Sequence, residues 1–376
     1  MYLVDATPLQ SEHRLRGVGT YVRYLLPALL RQAPEEIRFI LSSFSPAPVP
    51  EELTQRSIKI PRGHRPAQMY WLYNELLLRQ ALFRDRPIVF HSTDFNGLVT
   101  TRHTTTVATL HDIMALKTPP APSATLSERL SWYRWTTYFG KLQHAPFIIA
   151  VSDSVKEDAV QHLGIDADKI ITIYPGVDTA RFHPEVKLPN DLKLGSYVLC
   201  IGACQPNKNY PRILEAFGHV QRELPNLSLV IAGAWHPDQL QWLKKAARKE
   251  GIDDKVHHLG FTPSEILPAL YANAMAFLFP SLDEGFGSPL VEAMASGTPI
   301  ITSNRGALKE VAGKAAILVN PHDVLSIAKG IQDVEKSPGR RAWLRDAGLA
   351  RSRLFSWDNV ATRTLEVYRA ASRLKV

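Results

Sequence analysis

The chain of 376 residues has only two cysteines, Cys200 and Cys204, and they are not spaced as Cys-x-x-Cys. A disulfide framework is therefore excluded, a reducing cytoplasm is the expected setting, and Cys200, inside the apolar run 197–201, reads as a core residue. No window approaches the roughly eighteen uninterrupted apolar residues of a membrane span. Residues 1–10 carry Asp5 in their apolar stretch and no basic leader, so no classical export signal is expected either. The net charge of +8 is spread along the chain and never gathered into a block with regularly spaced aromatics, which argues against a nucleic-acid partner. Also missing are Gly-x-Ser-x-Gly, His-Glu-x-x-His, a P-loop and any short internal repeat.

What is present fits a globular enzyme: 45% apolar and 21% charged residues, in a chain too long for one core. Short apolar strands at 2–4, 37–41, 88–90, 106–110 and 147–151 alternate with helical stretches. The pattern resumes at 197–201, 227–231, 256–259, 276–279, 299–302 and 316–319. This alternation predicts an α/β chain of two doubly wound, Rossmann-like domains with parallel sheets. The proline-bearing segment 183–196 is the best linker, giving domains 1–185 and 186–355 and a C-terminal helix over 356–376. The densest basic stretch, 56–86, has seven Lys or Arg against two acids and includes Met69 to Tyr73. Two readings stand for it: peripheral contact with anionic lipid headgroups, or aromatics packed inward beneath a solvated charged face.

The most informative segment runs Glu284-Gly285-Phe286-Gly287-Ser288-Pro289-Leu290-Val291-Glu292 and continues Ala-Met-Ala-Ser-Gly-Thr-Pro-Ile-Ile. Two glycines let the backbone bend near a ligand, while Ser288 as N-cap and Pro289 as first helical residue predict a helix start facing the loop. Such a helix end suits a diphosphate. The two acids eight positions apart resemble the Glu-x7-Glu motif of retaining glycosyltransferases of the GT-B fold, family 4 in particular. That resemblance implies that Glu284 holds donor-sugar hydroxyls and Glu292 the ribose. It further implies two domains facing a cleft and a C-terminal tail packed back on the first.

Other segments match the family in order. Asp5-Ala-Thr-Pro8-Leu9 resembles its Asp-x-x-Pro-Leu opening, and Gly17-Val-Gly19 its glycine loop near the donor phosphates and acceptor. A dinucleotide fingerprint is disfavoured, because Val22 stands where a third glycine would be needed. His111, after strand 106–110, stands where the family places a histidine near the reacting carbon, with Asp112 either supporting its tautomer or facing the acceptor. Gly202-Ala-Cys-Gln-Pro-Asn207-Lys208-Asn209 resembles the diphosphate-binding loop, with Lys208 matching and Asn207 replacing the usual arginine. Gly233 and Gly260-Phe261-Thr262 resemble the loops around the nucleotide base. Tyr174 to Asp178 resembles the turn closing the first domain. Trp132, Tyr133 and Trp135 stack on an acceptor sugar, contact lipid or belong to the core.

Metal binding is not expected. Asp166-Ala-Asp168 reads as a capped surface turn, and adjacent His257 and His258 point to opposite faces of a strand. The resemblance implies a retaining hexosyltransferase that needs no cofactor and no metal. It would use a nucleotide sugar, most of all GDP-mannose, and a glycan or lipid-linked acceptor. UDP-glucose or a UDP-N-acetylhexosamine is the alternative donor, and a sugar-nucleotide epimerase or a non-catalytic binding module the rival class.

Overall fold

The computed structural model describes residues 1–11, 14, 17–45, 47–61, 70–94, 98–117, 119–121 and 124–374, with the side chains of 70–74, 134 and 138 outside the description. Arg62, Arg65 and Met69 of the basic stretch, and the side chains of Tyr70 to Tyr73, therefore lie outside the described residues. The chain separates into two compact units, 1–176 with 356–376, and 177–355.

The first unit holds β1 (Tyr2–Asp5), β2 (Ile37–Ser42), β3 (Ser57–Ile60), β4 (Val89–Ser92), β5 (Thr105–Leu110), β6 (Phe147–Ala150) and β7 (Ile170–Thr172). They form a parallel sheet in the order β3-β2-β1-β4-β5-β6-β7. Its helices are α1 (Gly17–Gln32), α2 (Glu51–Gln55), α3 (Tyr70–Asp85), α4 (Met114–Lys117), α5 (Leu126–Lys141) and α6 (Asp153–Leu163). β1, β4 and β5 are buried along their whole length, as helix-covered parallel strands must be. That burial is why they read as unbroken runs with no alternation. Within β5 the Thr106 hydroxyl is paired, donating to the Val99 carbonyl at 2.8 Å.

The second unit holds β8 (Ser196–Ile201), β9 (Leu227–Ala232), β10 (Val256–His258), β11 (Ala276–Phe279), β12 (Ile300–Ser303) and β13 (Ile317–Val319). The order is β10-β9-β8-β11-β12-β13, all parallel. Around them lie α7 (Tyr210–Gln221), α8 (Pro237–Glu250), α9 (Leu267–Ala272), α10 (Ser288–Ala295), α11 (Gly306–Ala312), α12 (Val324–Lys336) and α13 (Pro338–Ser352). Cys200 lies in this core, where burial pushes its thiol pKa up. Both cysteines are free.

The last helix, α14 (Trp357–Ser372), belongs to the first unit, where Val360, Leu365 and Tyr368 join the core beside α1. Trp357 stacks on Tyr24 at 5.6 Å. A side chain at Gly176 would sit 2.5 Å from the Trp357 backbone nitrogen, so this position tolerates only glycine.

The boundary differs from the expected 185/186. Gly176 and Val177, inside the turn 174–178, mark the division, and the proline-bearing segment 183–196 is part of the second unit. The reason is packing. The Phe182 ring meets Tyr271 edge-on at 5.9 Å, Pro184 lies against Gly297, and the Val186 carbonyl accepts from Asn273 Nδ2 at 2.8 Å. Prolines here fix an extended path along a surface; they do not loosen a hinge.

Candidate active site

Each sheet reverses its strand order between two central neighbours, β1 and β4 in one unit and β8 and β11 in the other. In open parallel sheets, ligands bind beyond the carboxyl ends of the strands at such a reversal. Asp5, which ends β1, and Lys208 and Glu284, in the loops after β8 and β11, fall at these two places.

In the second unit, β8 ends in a loop that closes as a 3-10 turn over 206–208 before α7. Asn209 takes a left-handed φ of 63° and is fastened by its side-chain amide to the carbonyls of Pro280 at 3.0 Å and Pro321 at 2.6 Å. That fixes Lys208, whose ammonium lies 2.6 Å from Glu284 Oε1, with the two side chains only 15% and 12% exposed. The same ammonium stands 4.6 Å from the centre of the Phe279 ring. Asn207 donates to the Asp283 carbonyl at 3.1 Å and accepts at its own carbonyl from Leu282 N at 2.7 Å. The residue replacing the usual arginine thus joins the loop after β8 to the loop after β11.

Two glycines allow the loops to come this close. A Cβ at Gly233, φ 156°, would lie 2.4 Å from the Gly202 carbonyl oxygen, and one at Gly287, φ 89°, would lie 2.6 Å from Leu308 Cδ2. The Gly202 carbonyl also accepts from Tyr210 Oη and Trp235 Nε1, both at 3.0 Å.

The α10 start corrects the expected cap. Gly287, in the left-handed conformation, is the N-cap, Ser288 is the first helical residue, and no side chain caps the helix. Leu308 leaves room for no side chain at the cap, so the backbone turn is made by glycine and the serine moves inward. Of the first three helical residues, Pro289 has no N–H and Leu290 N donates to the Gly287 carbonyl at 2.8 Å. The helix end's positive potential is therefore offered through Ser288 and the loop before it. Leu290 is wholly buried and packs the helix, so its side chain is no ligand contact. Phe286 is also buried, edge-on to Phe355 at 5.8 Å, whereas Phe261 is 64% exposed.

Glu292 sits further along α10, where Oε2 accepts the Tyr271 hydroxyl proton at 3.0 Å. Burial pushes its carboxyl pKa up, opposed by the Tyr271 hydrogen bond and then by the charge of Arg181.

In the first unit, Asp5, Thr93 and His111 close β1, β4 and β5. Asp5 is buried and accepts from Thr7 N at 2.9 Å and Thr7 Oγ1 at 2.6 Å, just before the 3-10 turn Thr7–Gln10. His111 Nε2 is 2.9 Å from the Thr93 carbonyl. A carbonyl only accepts, so Nε2 carries a proton. Asp112 Oδ1 accepts from Met114 N at 3.0 Å at the start of α4, and the Thr93 carbonyl, which the sequence did not mark out, holds the His111 Nε2 proton. Gly17 and Gly19 lie in the first turn of α1; they do not form a loop before it.

Of the acceptor candidates, Trp135 stacks on Phe139 at 5.9 Å, Tyr133 is 65% exposed, and Trp132 lines a cavity of about 380 Å³ with Lys117 and His162. Asp166 accepts from Asp168 N at 3.0 Å, as a capped turn should. Asp178 caps the next turn through Ala180 N and Arg181 N. No group of three or more His, Cys, Asp or Glu among the described residues could hold a metal, and no described helix is long and apolar enough to cross a membrane.

Residues 15–181 match the model of Glycosyltransferase Family 4, and residues 188–351 that of Glycosyl transferases group 1. The chain is 32% identical over 272 residues to O-antigen chain mannosyltransferase B from Escherichia coli, covering 70% of each. It is 28% identical over 246 residues to the longer serotype-specific mannosyltransferase WbdA of E. coli, covering 61% of this chain and 30% of that protein. Among solved structures, a sucrose-phosphate synthase from Thermosynechococcus elongatus superposes with a TM-score of 0.78 at 20% identity, covering 98% of each chain. Anabaena HepE in complex with UDP and glucose superposes at 0.71 and 17%, over 98% of this chain and 99% of that one. The chain belongs to glycosyltransferase family 4 and has the GT-B fold.

Proposed function

We propose that this glycosyltransferase transfers mannose from GDP-mannose, with retention of anomeric configuration, to a hydroxyl of a glycan or lipid-linked glycan acceptor. The observation that carries the reading is the Lys208–Glu284 pair at the strand-order reversal of the second unit, beside the α10 N-terminus. Mannose is favoured by the similarity to mannosyltransferases.

In this reading the diphosphate takes the Lys208 ammonium, and Glu284, released from that pair, holds donor-sugar hydroxyls while Glu292 holds the ribose. Breaking the bond from the anomeric carbon to the β-phosphate oxygen leaves positive charge on the sugar and negative charge on the diphosphate. Lys208 and the α10 start stabilise the second. The acceptor oxygen bonds to the same face of the sugar, and its proton passes to the departing phosphate oxygen. No glycosyl-enzyme ester is needed, in contrast to retaining glycosidases with two carboxylates across the bond. His111 contacts the sugar near the reacting carbon. The loops at Gly233 and Phe261 surround the base, and Gly17 and Gly19 approach the phosphates or the acceptor. Reaction occurs at the cytoplasmic side, without a metal.

The test is transfer from GDP-mannose, UDP-glucose and UDP-N-acetylglucosamine, each with and without a mannose-terminated acceptor and with EDTA, followed by NMR of the product linkage. Acceptor-dependent, EDTA-resistant formation of an α-mannoside supports the reading. A β-linkage overturns retention, UDP-sugar preference overturns the donor, and donor conversion without acceptor indicates an epimerase.

A further inference from the structure

Behind His111 runs a file of buried polar side chains that the reading above leaves unused. On α14, the Tyr368 hydroxyl lies 2.5 Å from His91 Nδ1. His91 Nε2 lies 2.7 Å from Thr109 Oγ1, which lies 3.5 Å from the Tyr21 hydroxyl. All four residues are at most 3% exposed. The Tyr21 ring then meets the His111 ring edge to face, with centroids 5.1 Å apart and planes at 85°. Trp357 flanks Tyr21 at 5.7 Å.

Four polar groups in a core are unfavourable unless every one is paired, and apolar residues would fill the same space with no such demand. Burial, and next the charge of His111, lowers the His91 pKa to about 3, so the imidazole stays neutral. A neutral imidazole donates through one nitrogen and accepts through the other, which gives the file a single direction at any moment. Tyr21 is thereby held at its hydroxyl by Thr109 and at its ring by Trp357. The His111 Nε2 proton is held by the Thr93 carbonyl, and the ring plane by Tyr21.

We infer that Tyr21 is a positioning residue for His111, kept in place by Thr109, His91 and Tyr368, and that α14 supports the site through this file. The inference rests on the role given to His111 above. It accounts for a C-terminal helix that returns to the first unit carrying a buried tyrosine hydroxyl.

The experiment compares Tyr21→Leu, Tyr21→Phe and Thr109→Val with His111→Ala in sugar transfer from GDP-mannose, alongside 15N spectra of histidine-labelled protein. Tyr21→Leu is expected to lower kcat about tenfold to hundredfold with donor KM within about twofold, and to move the His111 ring-nitrogen resonances. Thr109→Val, nearly isosteric, gives the same pattern at about two- to fivefold, and Tyr21→Phe, which keeps the ring, recovers most of the Tyr21→Leu loss. Unchanged kcat and unchanged His111 resonances in Thr109→Val and Tyr21→Leu overturn the inference. Should Tyr21→Leu not fold, Thr109→Val and Tyr21→Phe carry the test alone. If His111→Ala transfers sugar at the wild-type rate, the functional reading falls, and the His111 resonances still decide whether Tyr21 positions the ring.

Discussion

The two units share a sheet order and the reversal at its centre, yet they finish their strands with opposite chemistry. Apart from the buried Asp5 carboxylate that ends β1, the polar groups around His111 at the ends of β4 and β5 include a buried neutral imidazole, hydroxyls and a carbonyl. At the ends of β8 and β11 they are ionic: a cation and a carboxylate 2.6 Å apart, with a second carboxylate further along α10. The first arrangement suits holding a ring in one orientation, and the second suits meeting charge that develops on a departing group. The same scaffold edge therefore supports positioning in one unit and electrostatic stabilisation in the other, and the side chains alone make the difference.

The largest effect should fall on the ionic edge. Lys208→Ala is expected to lower kcat about hundredfold or more, on the order of 3 kcal/mol, in steady-state transfer assays. It should also reduce stability, because Glu284 is left without its nearest cation in a mostly buried site. An effect below about tenfold would blur the distinction between the units.

On the neutral edge, His111→Ala should cost about tenfold to hundredfold in kcat with little change in thermal stability, checked by transfer rate and by thermal melts. Gly287→Ala probes the turn that forms the α10 start: strain at φ 89° and contact with Leu308 should cost about 1–3 kcal/mol, read by chemical denaturation.

Acid separates the units by another route. His91 is neutral in the folded state, with a pKa lowered to about 3 against 6.5 when unfolded, so between those values the unfolded chain binds the extra proton. Its contribution to stability is complete above about pH 6.5 and is lost as pH falls toward 3, by at most about 1.4 kcal/mol per pH unit. Denaturation curves from pH 7 to 4 should show this loss, and Thr109→Val, which leaves His91 buried, should keep it. The smallest effect has the reverse sign. The Glu292 pKa is raised, so its ionised form opposes folding at neutral pH, and Glu292→Gln should raise the melting temperature slightly while weakening nucleotide binding.

Much of this was readable in the sequence because it is local. Strand runs, the glycine loops and the Glu284 to Glu292 spacing each depend on neighbours in the chain, and local pattern specifies them. The sequence leaves the boundary less sharply defined, because prolines at 184 and 189 signal an irregular path and say nothing about which unit the path adheres to. Ser288 reads as the cap by residue type, while the crowding by Leu308 that leaves room only for glycine is a long-range contact. His91, Thr109, Tyr21 and Tyr368 escaped notice for the same reason: His91 and Tyr368 are 277 positions apart, and each alone reads as an ordinary core residue. Thr93 acts through its backbone carbonyl, which no sequence displays.

The most direct test of the account is calorimetric titration of GDP into the wild-type protein and into the Lys208→Met and His111→Ala variants. The account predicts that Lys208→Met weakens GDP about tenfold or more while His111→Ala leaves it within about twofold of wild type. Undiminished binding without Lys208, or binding lost with His111, would contradict it.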